Sequence, residues 1–149
     1  MPTQPWMLVR FNRWDEILKA PMPPKEMFAL TASWHYARGS AYTALKQPKE
    51  AATEREALAA AASAIPKDLP PDFNNPAKTA LELALTVLDA RIAEAGGKRA
   101  EAITLWKKAV TTLDTFAYNE PADWYYPVRE SLGGALLRNN QPTEAEAIF

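Results

Sequence analysis

The sequence predicts an all-α protein, and three observations support this prediction. Apolar residues recur at intervals of three and four, in the stripes Leu81, Leu85, Leu88, Ile92 and Ile103, Trp106, Val110, Leu113. Most of the 13 prolines cluster at 21–24, 66–76 and 121–127, between stretches rich in alanine and leucine. No alternating run of β-branched residues bounded by turn residues indicates a strand.

Local chemistry predicts where the helices begin and end. Asn75 is the predicted N-cap of a helix that has Pro76 at its first position, where the missing N–H is not needed. Gly96 and Gly97 are expected to end that helix, because glycine readily adopts the left-handed conformation. Pro127 is expected to open another, since it pushes the residue before it out of the α region. We predict seven helices and a final stub, at about 5–11, 13–19, 25–46, 49–65, 76–95, 98–117, 127–139 and 142–149.

Composition restricts the class of protein. The chain has 149 residues, long enough for a single domain with a core, and 48% of them are hydrophobic. The 17 basic and 18 acidic residues are interspersed, so nothing indicates binding to nucleic acid or to a membrane surface. There is no cysteine, and no apolar run approaches the ~20 residues that span a bilayer. The first residues lack the pattern of a signal peptide, and we expect a cytoplasmic location.

Four short stretches align as an internal repeat: "NRWDEIL" (12–18), "KQPKEAA" (46–52), "GKRAEAI" (97–103) and "NQPTEAE" (140–146). Each contains a turn, then a glutamate, then a small or aliphatic residue, which is Ile17, Ala51, Ala102 or Ala145. These four residues are spaced by 34, 51 and 43 positions. A small residue precedes each of the three alanines by twelve positions, at Gly39, Ala90 and Gly133, where it would let two helices lie close together.

In this register the stretches "WHYARGSAYTALKQPKEAA" and "LWKKAV" resemble the tetratricopeptide repeat, whose period is 34 residues. The resemblance covers residues 1–149 as a single domain of about three and a half repeats. It implies a right-handed superhelix of antiparallel helix pairs. Lys46 and Asn140, in place of turn glycine, and the proline-rich inserts depart from the family pattern. "LVRFNRWDEIL" and "EPADWYYPVRESLG" also resemble the C-terminal part of large bacterial tetratricopeptide proteins.

The repeat register predicts a chain that is truncated at its C-terminus. The stub that ends on Ile148 and Phe149 corresponds to the start of a second helix, with no capping helix after it. At the other end, Trp6, Leu8 and Phe11 are expected to be poorly covered. Exposed solenoid ends of this kind favour self-association into a homo-oligomer.

Catalytic and metal-binding motifs are missing from the sequence. His35 is the only histidine, so a zinc site or a nucleophile triad would lack ligands or an elbow motif, and we interpret His35 as a packing residue. Gly96-Gly97-Lys98 lacks the spaced glycines of a phosphate loop. Carboxylates such as Glu50 and Glu144 fit helix N-termini better than glycosidic chemistry. We therefore predict no enzymatic activity and no cofactor.

The stretch "DWYYP" (123–127) is the densest aromatic cluster in the chain. One interpretation is a binding patch, because aromatic residues dominate interaction hot spots. The other is that the rings pack the insert onto the helices, which we favour because buried aromatic rings contribute strongly to stability.

The tetratricopeptide resemblance also implies a concave groove lined by the first helix of each pair. Carried over by register, its residues are Trp6, Arg10, Tyr36, Ser40, Thr43, Arg91, Glu94, Glu130 and Arg138. One subclass binds the C-terminal carboxylate of chaperones through a lysine, asparagine and arginine clamp. Tyr36, Ala37 and Ser40 stand at its first positions here, so chaperone-tail binding is not predicted. An ordinary polar surface remains an alternative for the whole groove.

Three hypotheses follow for function. The chain is predicted to be a non-catalytic scaffold that binds a peptide or protein in its groove. The second hypothesis is a purely architectural segment that stacks on further repeats or on copies of itself. The third is an enzyme, or a regulatory part of a larger enzyme, for which the sequence shows no convergent set of titratable residues.

Overall fold

A computed structural model describes residues 3–65, 75–120 and 122–149. All regular secondary structure in these ranges is α-helical, which confirms the predicted fold class. The helices are α1 (Thr3–Arg10), α2 (Trp14–Lys19), α3 (Phe28–Ala44), α4 (Pro48–Ser63), α5 (Ala77–Ala95), α6 (Arg99–Asp114), α7 (Val128–Arg138) and α8 (Pro142–Ile148). Most lie within two residues of the predicted bounds. The largest differences are the later start of α3 and the earlier end of α6.

The same turn joins the two helices of all four pairs. A residue with positive φ stands in each turn: Asn12 (54°), Lys46 (58°), Gly97 (75°) and Asn140 (58°). The N–H that follows it donates to a carbonyl five positions earlier at 2.9 Å: Arg13 to Leu8, Gln47 to Tyr42, Lys98 to Ala93 and Gln141 to Leu136. This hydrogen bond is the long bond of the Schellman motif. Lysine and asparagine therefore adopt the backbone conformation for which glycine is usually selected.

The residue five positions after each left-handed residue enters the core. Ile17, Ala51, Ala102 and Ala145 are all buried, as expected for equivalent positions in a repeat. Two of the small residues twelve positions earlier, Gly39 and Gly133, also lie at close contacts. Their neighbours are not always in the same helix pair. A Cβ on Gly39 would lie 2.7 Å from Cδ2 of Leu88, so this glycine makes room for α5 of the next pair. Gly133 is covered instead by the ring of Phe149, at the end of α8.

The pairs stack in chain order. The first helices α1, α3 and α5 contact one another in succession, and each second helix contacts the first helix of the following pair. Trp106 in α6 is 2% exposed, which confirms its predicted place in the core. The helical spacing of apolar residues also predicts Tyr42 as a core residue, but Tyr42 is only half-buried, so this prediction is wrong. Nη2 of Arg38 donates to its hydroxyl oxygen at 2.9 Å, and this polar partner holds the ring at the surface.

A buried polar network fastens α3 to α4. His35 Nδ1 lies 2.7 Å from Oε2 of Glu54, and Arg38 Nε donates to Oε1 of the same carboxylate at 2.6 Å. Arg38 also donates to the carbonyl of Leu18 and stacks over the ring of Trp34 at 4.6 Å. His35 is thus a helix-packing residue, as the sequence predicted.

The connection between α6 and α7 departs from the neighbour-to-neighbour pattern of the stack. We call residues 115–120 and 122–127 the aromatic insert. Its rings reach back across the first helices as far as α1, where Trp124 lies 5.3 Å from Trp6. This contact determines which part of the predicted groove is open.

Candidate functional site

The first helices share one face, which we call the first-helix face, and the aromatic insert covers part of it. Trp124 packs against Trp6 of α1 and Tyr36 of α3, with ring centroids 5.3 and 5.5 Å apart. Tyr125 lies between them, 5.8 Å from Trp6. Trp6 and Trp124 are each only 4% exposed. The rings of "DWYYP" therefore pack the insert onto the helices, which confirms the interpretation favoured from the sequence.

Two tyrosine hydroxyls meet beneath the insert. Tyr36 and Tyr125 are joined by a hydrogen bond of 2.7 Å between their hydroxyl oxygens. Burial raises the pKa of Tyr36 to about 12, against the opposing effect of Arg91, and raises the pKa of Tyr125 as well. Both phenols are therefore neutral at physiological pH. They supply hydrogen-bonding groups without adding charge to this face.

Polar contacts at its base hold the insert in place. Asn75 Nδ2 donates to Asp123 Oδ2 at 2.5 Å, and the N–H of Ala117 donates to Asn75 Oδ1 at 2.8 Å. Asn119 Nδ2 donates to Oδ1 of the same aspartate at 3.0 Å. The prediction that Asn75 caps α5 is wrong, since Pro76 is the N-cap residue and the Asn75 side chain binds the insert. The insert is therefore tied to the start of α5.

A polar cavity of about 340 Å³ remains beside the insert, open to solvent. Three arginines line it, and they come from three different first helices: Arg10 from α1, Arg91 from α5 and Arg138 from α7. The remaining wall includes Tyr125, Tyr126, Glu130 and Ser131. The hydroxyls of Tyr126 and Ser131 lie 3.0 Å apart, which links the insert to the first turn of α7.

Two of the three arginines have carboxylate partners. Arg10 Nη1 donates to Glu130 Oε2 at 3.0 Å, and Arg138 Nε donates to Glu94 Oε1 at 2.6 Å. Arg91 forms no ion pair with any residue in the described ranges, and its Nε atom is buried without a hydrogen-bond acceptor. Arg91 is therefore a charged side chain without a carboxylate partner at the wall of a cavity.

The charge of Arg91 is well defined. Burial disfavours the charged form, but a hydrogen bond to Tyr126 and the negative charges that Tyr36, Tyr125 and Tyr126 acquire on ionisation raise the pKa of Arg91 above its usual range. Arginine is in any case protonated in proteins. The cavity wall therefore presents a permanent positive charge.

The structure divides the nine predicted groove residues into three groups. Arg10, Arg91, Glu130 and Arg138 come together around the cavity, and Glu94 joins them through Arg138. Trp6, Tyr36 and Ser40 are buried, so their prediction as open groove residues is wrong. The aromatic insert is the reason for Trp6 and Tyr36, because its rings occupy the space in front of them. Thr43 lies apart from the cavity and donates to the carbonyl of Gly39 at 2.8 Å.

The register missed Tyr125, Tyr126 and Ser131, which complete the cavity wall. The first two belong to the "DWYYP" stretch that was considered as a separate patch. Aromatic density was therefore a usable signal for the site. The repeat register aligns only the helix pairs and gives no position for an insert. It could therefore not predict that this stretch contacts α1, which is distant along the chain.

A second crevice of about 660 Å³ lies between two turns, the one that joins α3 to α4 and the one that joins α5 to α6. Its floor is apolar and includes Ala51, Ile92 and Leu105, and Thr43 stands at its edge. One side is closed by Arg55, whose guanidinium binds both oxygens of Asp89 at 2.7 and 2.8 Å. Arg55 and Asp89 satisfy each other here, in contrast to Arg91.

Two other kinds of site are absent from the part of the chain that the structure describes. No group of three histidine, aspartate or glutamate side chains there could hold a metal ion. No helix in the same ranges is long and apolar enough to cross a membrane. In comparisons with known proteins, no family model, no curated protein and no solved structure matches the chain.

Proposed function

We propose that this chain is a non-catalytic helical-repeat scaffold of the tetratricopeptide type, which binds a segment of a peptide or protein on its first-helix face. The observation that carries the proposal is the convergence of Arg10, Arg91 and Arg138 on one cavity. These side chains come from three of the four helix pairs, and repeat proteins commonly build a binding surface from side chains of several repeats.

The repeat character of the proposal is supported by the turns. Four turns share the same left-handed residue and the same 2.9 Å hydrogen bond, although their sequences differ. A buried residue follows each of them at the same distance. Such regularity is expected of one supersecondary unit used four times.

The aromatic insert narrows the surface that a partner can use. In the proposed function Trp6 and Tyr36 support the insert from below, and the partner contacts the cavity and the exposed rim around it. A short segment with one or two anchoring side chains fits an opening of about 340 Å³ better than a long extended peptide does.

A peptide library displayed on phage tests the proposal. The purified chain is used to select binding peptides, and the affinity of a selected peptide is then measured by calorimetry. The change Arg138→Ala is expected to weaken binding at least tenfold, because hot-spot arginines cost on the order of 2 kcal/mol or more when truncated. Arg129→Ala is the matched control, since Arg129 lies on the same helix and pairs with Asp114 outside the cavity. Equal effects of the two changes would refute the proposed site.

The architectural alternative is favoured by one observation at the end of the stack. Phe149 is 72% exposed and Leu137 is also exposed. Leu137 lies one helical turn after Gly133, which the Phe149 ring covers, so both exposed side chains belong to the same end of the stack. A face of this kind can stack on a further repeat or on a second copy of the chain.

Sedimentation equilibrium at several concentrations tests self-association. We expect a dimer whose apparent dissociation constant rises at least tenfold with Phe149→Glu. A monomer at every concentration, unchanged by this substitution, would remove self-association from the proposal and leave the first-helix face unaffected.

A further inference from the structure

The cavity on the first-helix face carries an excess of positive charge. Arg10, Arg91 and Arg138 contribute three positive charges, and their carboxylate partners Glu130 and Glu94 contribute two negative ones, which leaves a net charge of +1. The unmatched charge is that of Arg91, which is also the arginine with a buried Nε atom. A buried charge without a partner is costly to a folded protein unless something compensates for it.

We propose that this cavity is an oxyanion-binding site, in which Arg91 receives a carboxylate or phosphate group that carries about one negative charge. The inference rests on the proposed function, since it gives the chemical class of the group that a bound segment would place in the cavity. The net charge of +1 of the three arginines and their two carboxylate partners favours a monoanion, because such a group would leave the filled site neutral.

An oxyanion fits the groups at the wall better than other ligands do. Guanidinium has five N–H donors and no acceptor, and it binds pairs of oxygen atoms in a bidentate manner. Tyr125 at the wall is a neutral phenol and can donate or accept without repelling an anion. A cation would be repelled by Arg91, and a neutral ligand would leave its charge without compensation.

The other two arginines are suited to positions at the rim. Arg10 lies over the ring of Tyr126, 5.7 Å from its centroid. It also forms an ion pair with Glu130, and both side chains are about half exposed. Arg138 is more exposed still. Exposed ion pairs are weak, so either arginine can turn toward an incoming anion at little cost. Arg91 therefore fixes the anion, and Arg10 and Arg138 adjust around it.

Titration of the full chain with sodium acetate and, separately, with inorganic phosphate tests the inference. Ionic strength is held constant with sodium chloride, and binding is followed by the ¹⁵N–¹H resonances of the arginine Nε groups. The Arg91 resonance is expected to shift saturably with acetate, with phosphate or with both. The anion with the lower midpoint identifies the preferred source of the oxyanion. A shift that does not saturate, or one that chloride reproduces, overturns the proposal.

Variants separate a built site from general attraction of anions. Arg91→Gln is expected to raise the midpoint of the titration, followed by backbone amide resonances, at least tenfold, whereas Arg129→Gln leaves it unchanged. If Arg91→Gln unfolds, as judged by circular dichroism, the rim variants Arg10→Gln and Arg138→Gln decide. Each is expected to raise the midpoint at least threefold, and an unchanged midpoint in both overturns the proposal.

The outcomes also distinguish this inference from the proposed function. Saturable binding of acetate or phosphate, together with a library that yields no peptide, supports the anion site and contradicts the proposed peptide scaffold. Selected peptides that bind with unchanged affinity after their acidic groups are replaced by amides support the scaffold and overturn the anion site.

Discussion

Replacing Trp124 by alanine tests whether the aromatic insert is an integral part of the core. Trp124 is 4% exposed and its ring contacts those of Trp6, Tyr36, Tyr125 and Tyr126 at centroid distances between 5.0 and 6.3 Å. Truncation of a buried tryptophan to alanine costs roughly 3–5 kcal/mol, and the four aromatic contacts place Trp124 at the upper end of that range. Its buried Nε1 has no acceptor, so removing this unsatisfied donor offsets the loss of stability by on the order of 1 kcal/mol. We expect a net loss of about 4 kcal/mol.

Urea denaturation followed by circular dichroism measures this loss as a fall in the free energy of unfolding at constant slope. Phe11→Ala is the control, because Phe11 is 68% exposed and its truncation should cost less than about 0.5 kcal/mol. A loss below about 1 kcal/mol for Trp124→Ala would show that the insert is not docked on α1 and α3. The cavity bounded by Tyr125 and Tyr126 would then lack its wall, and the anion site would be refuted with it.

Three further predictions concern the core, the turns and the buried tyrosine. Trp106→Ala should destabilise the chain by roughly 3–5 kcal/mol in the same urea assay, and a change well below 1 kcal/mol would contradict its burial. Lys46→Gly should stabilise it by about 0.5–1 kcal/mol, since φ is 58° there; Lys98→Gly, next to the equivalent turn residue, should not. Burial raises the pKa of Tyr36 from 10.0 to about 12, which corresponds to about 3 kcal/mol in the free energy of unfolding. This contribution is fully present below pH 10 and is lost as the pH rises from 10 to about 12. Tyr36→Phe should flatten this part of the stability curve, and an equally steep fall would contradict the assignment to Tyr36.

Features that depend on nearby residues were predictable from the sequence. Apolar spacing located all eight helices of the described ranges, and the glycines at 96 and 97 and the proline at 127 placed helix boundaries correctly. The repeat register identified Ile17, Ala51, Ala102 and Ala145 as equivalent buried positions. These successes share one reason, which is that helix caps, turns and apolar stripes are set within a few residues along the chain.

Two of the incorrect predictions involve competition from groups that are distant along the chain. Trp6 was expected to be poorly covered, and it is buried by Trp124 from a different helix pair. Asn75 has the chemistry of a helix cap, but Asp123 and Ala117 offer its amide better partners. Apolar spacing and local propensity contain no information on which segment an insert will contact. Four of the nine predicted site residues nevertheless line the cavity, because the register placed the first helices correctly.

The aromatic insert also has a consequence for how the chain unfolds. In a stack whose pairs touch only their neighbours, each end can fray by itself, and stability is close to a sum over adjacent pairs. Here Trp124 meets Trp6, and Glu130 at the start of α7 meets Arg10 at the end of α1, so the last pair is connected to the first. Losing either end would break the contacts of the other. We therefore expect a single cooperative transition, and the long loop that must close to form these contacts should slow folding relative to a simple stack.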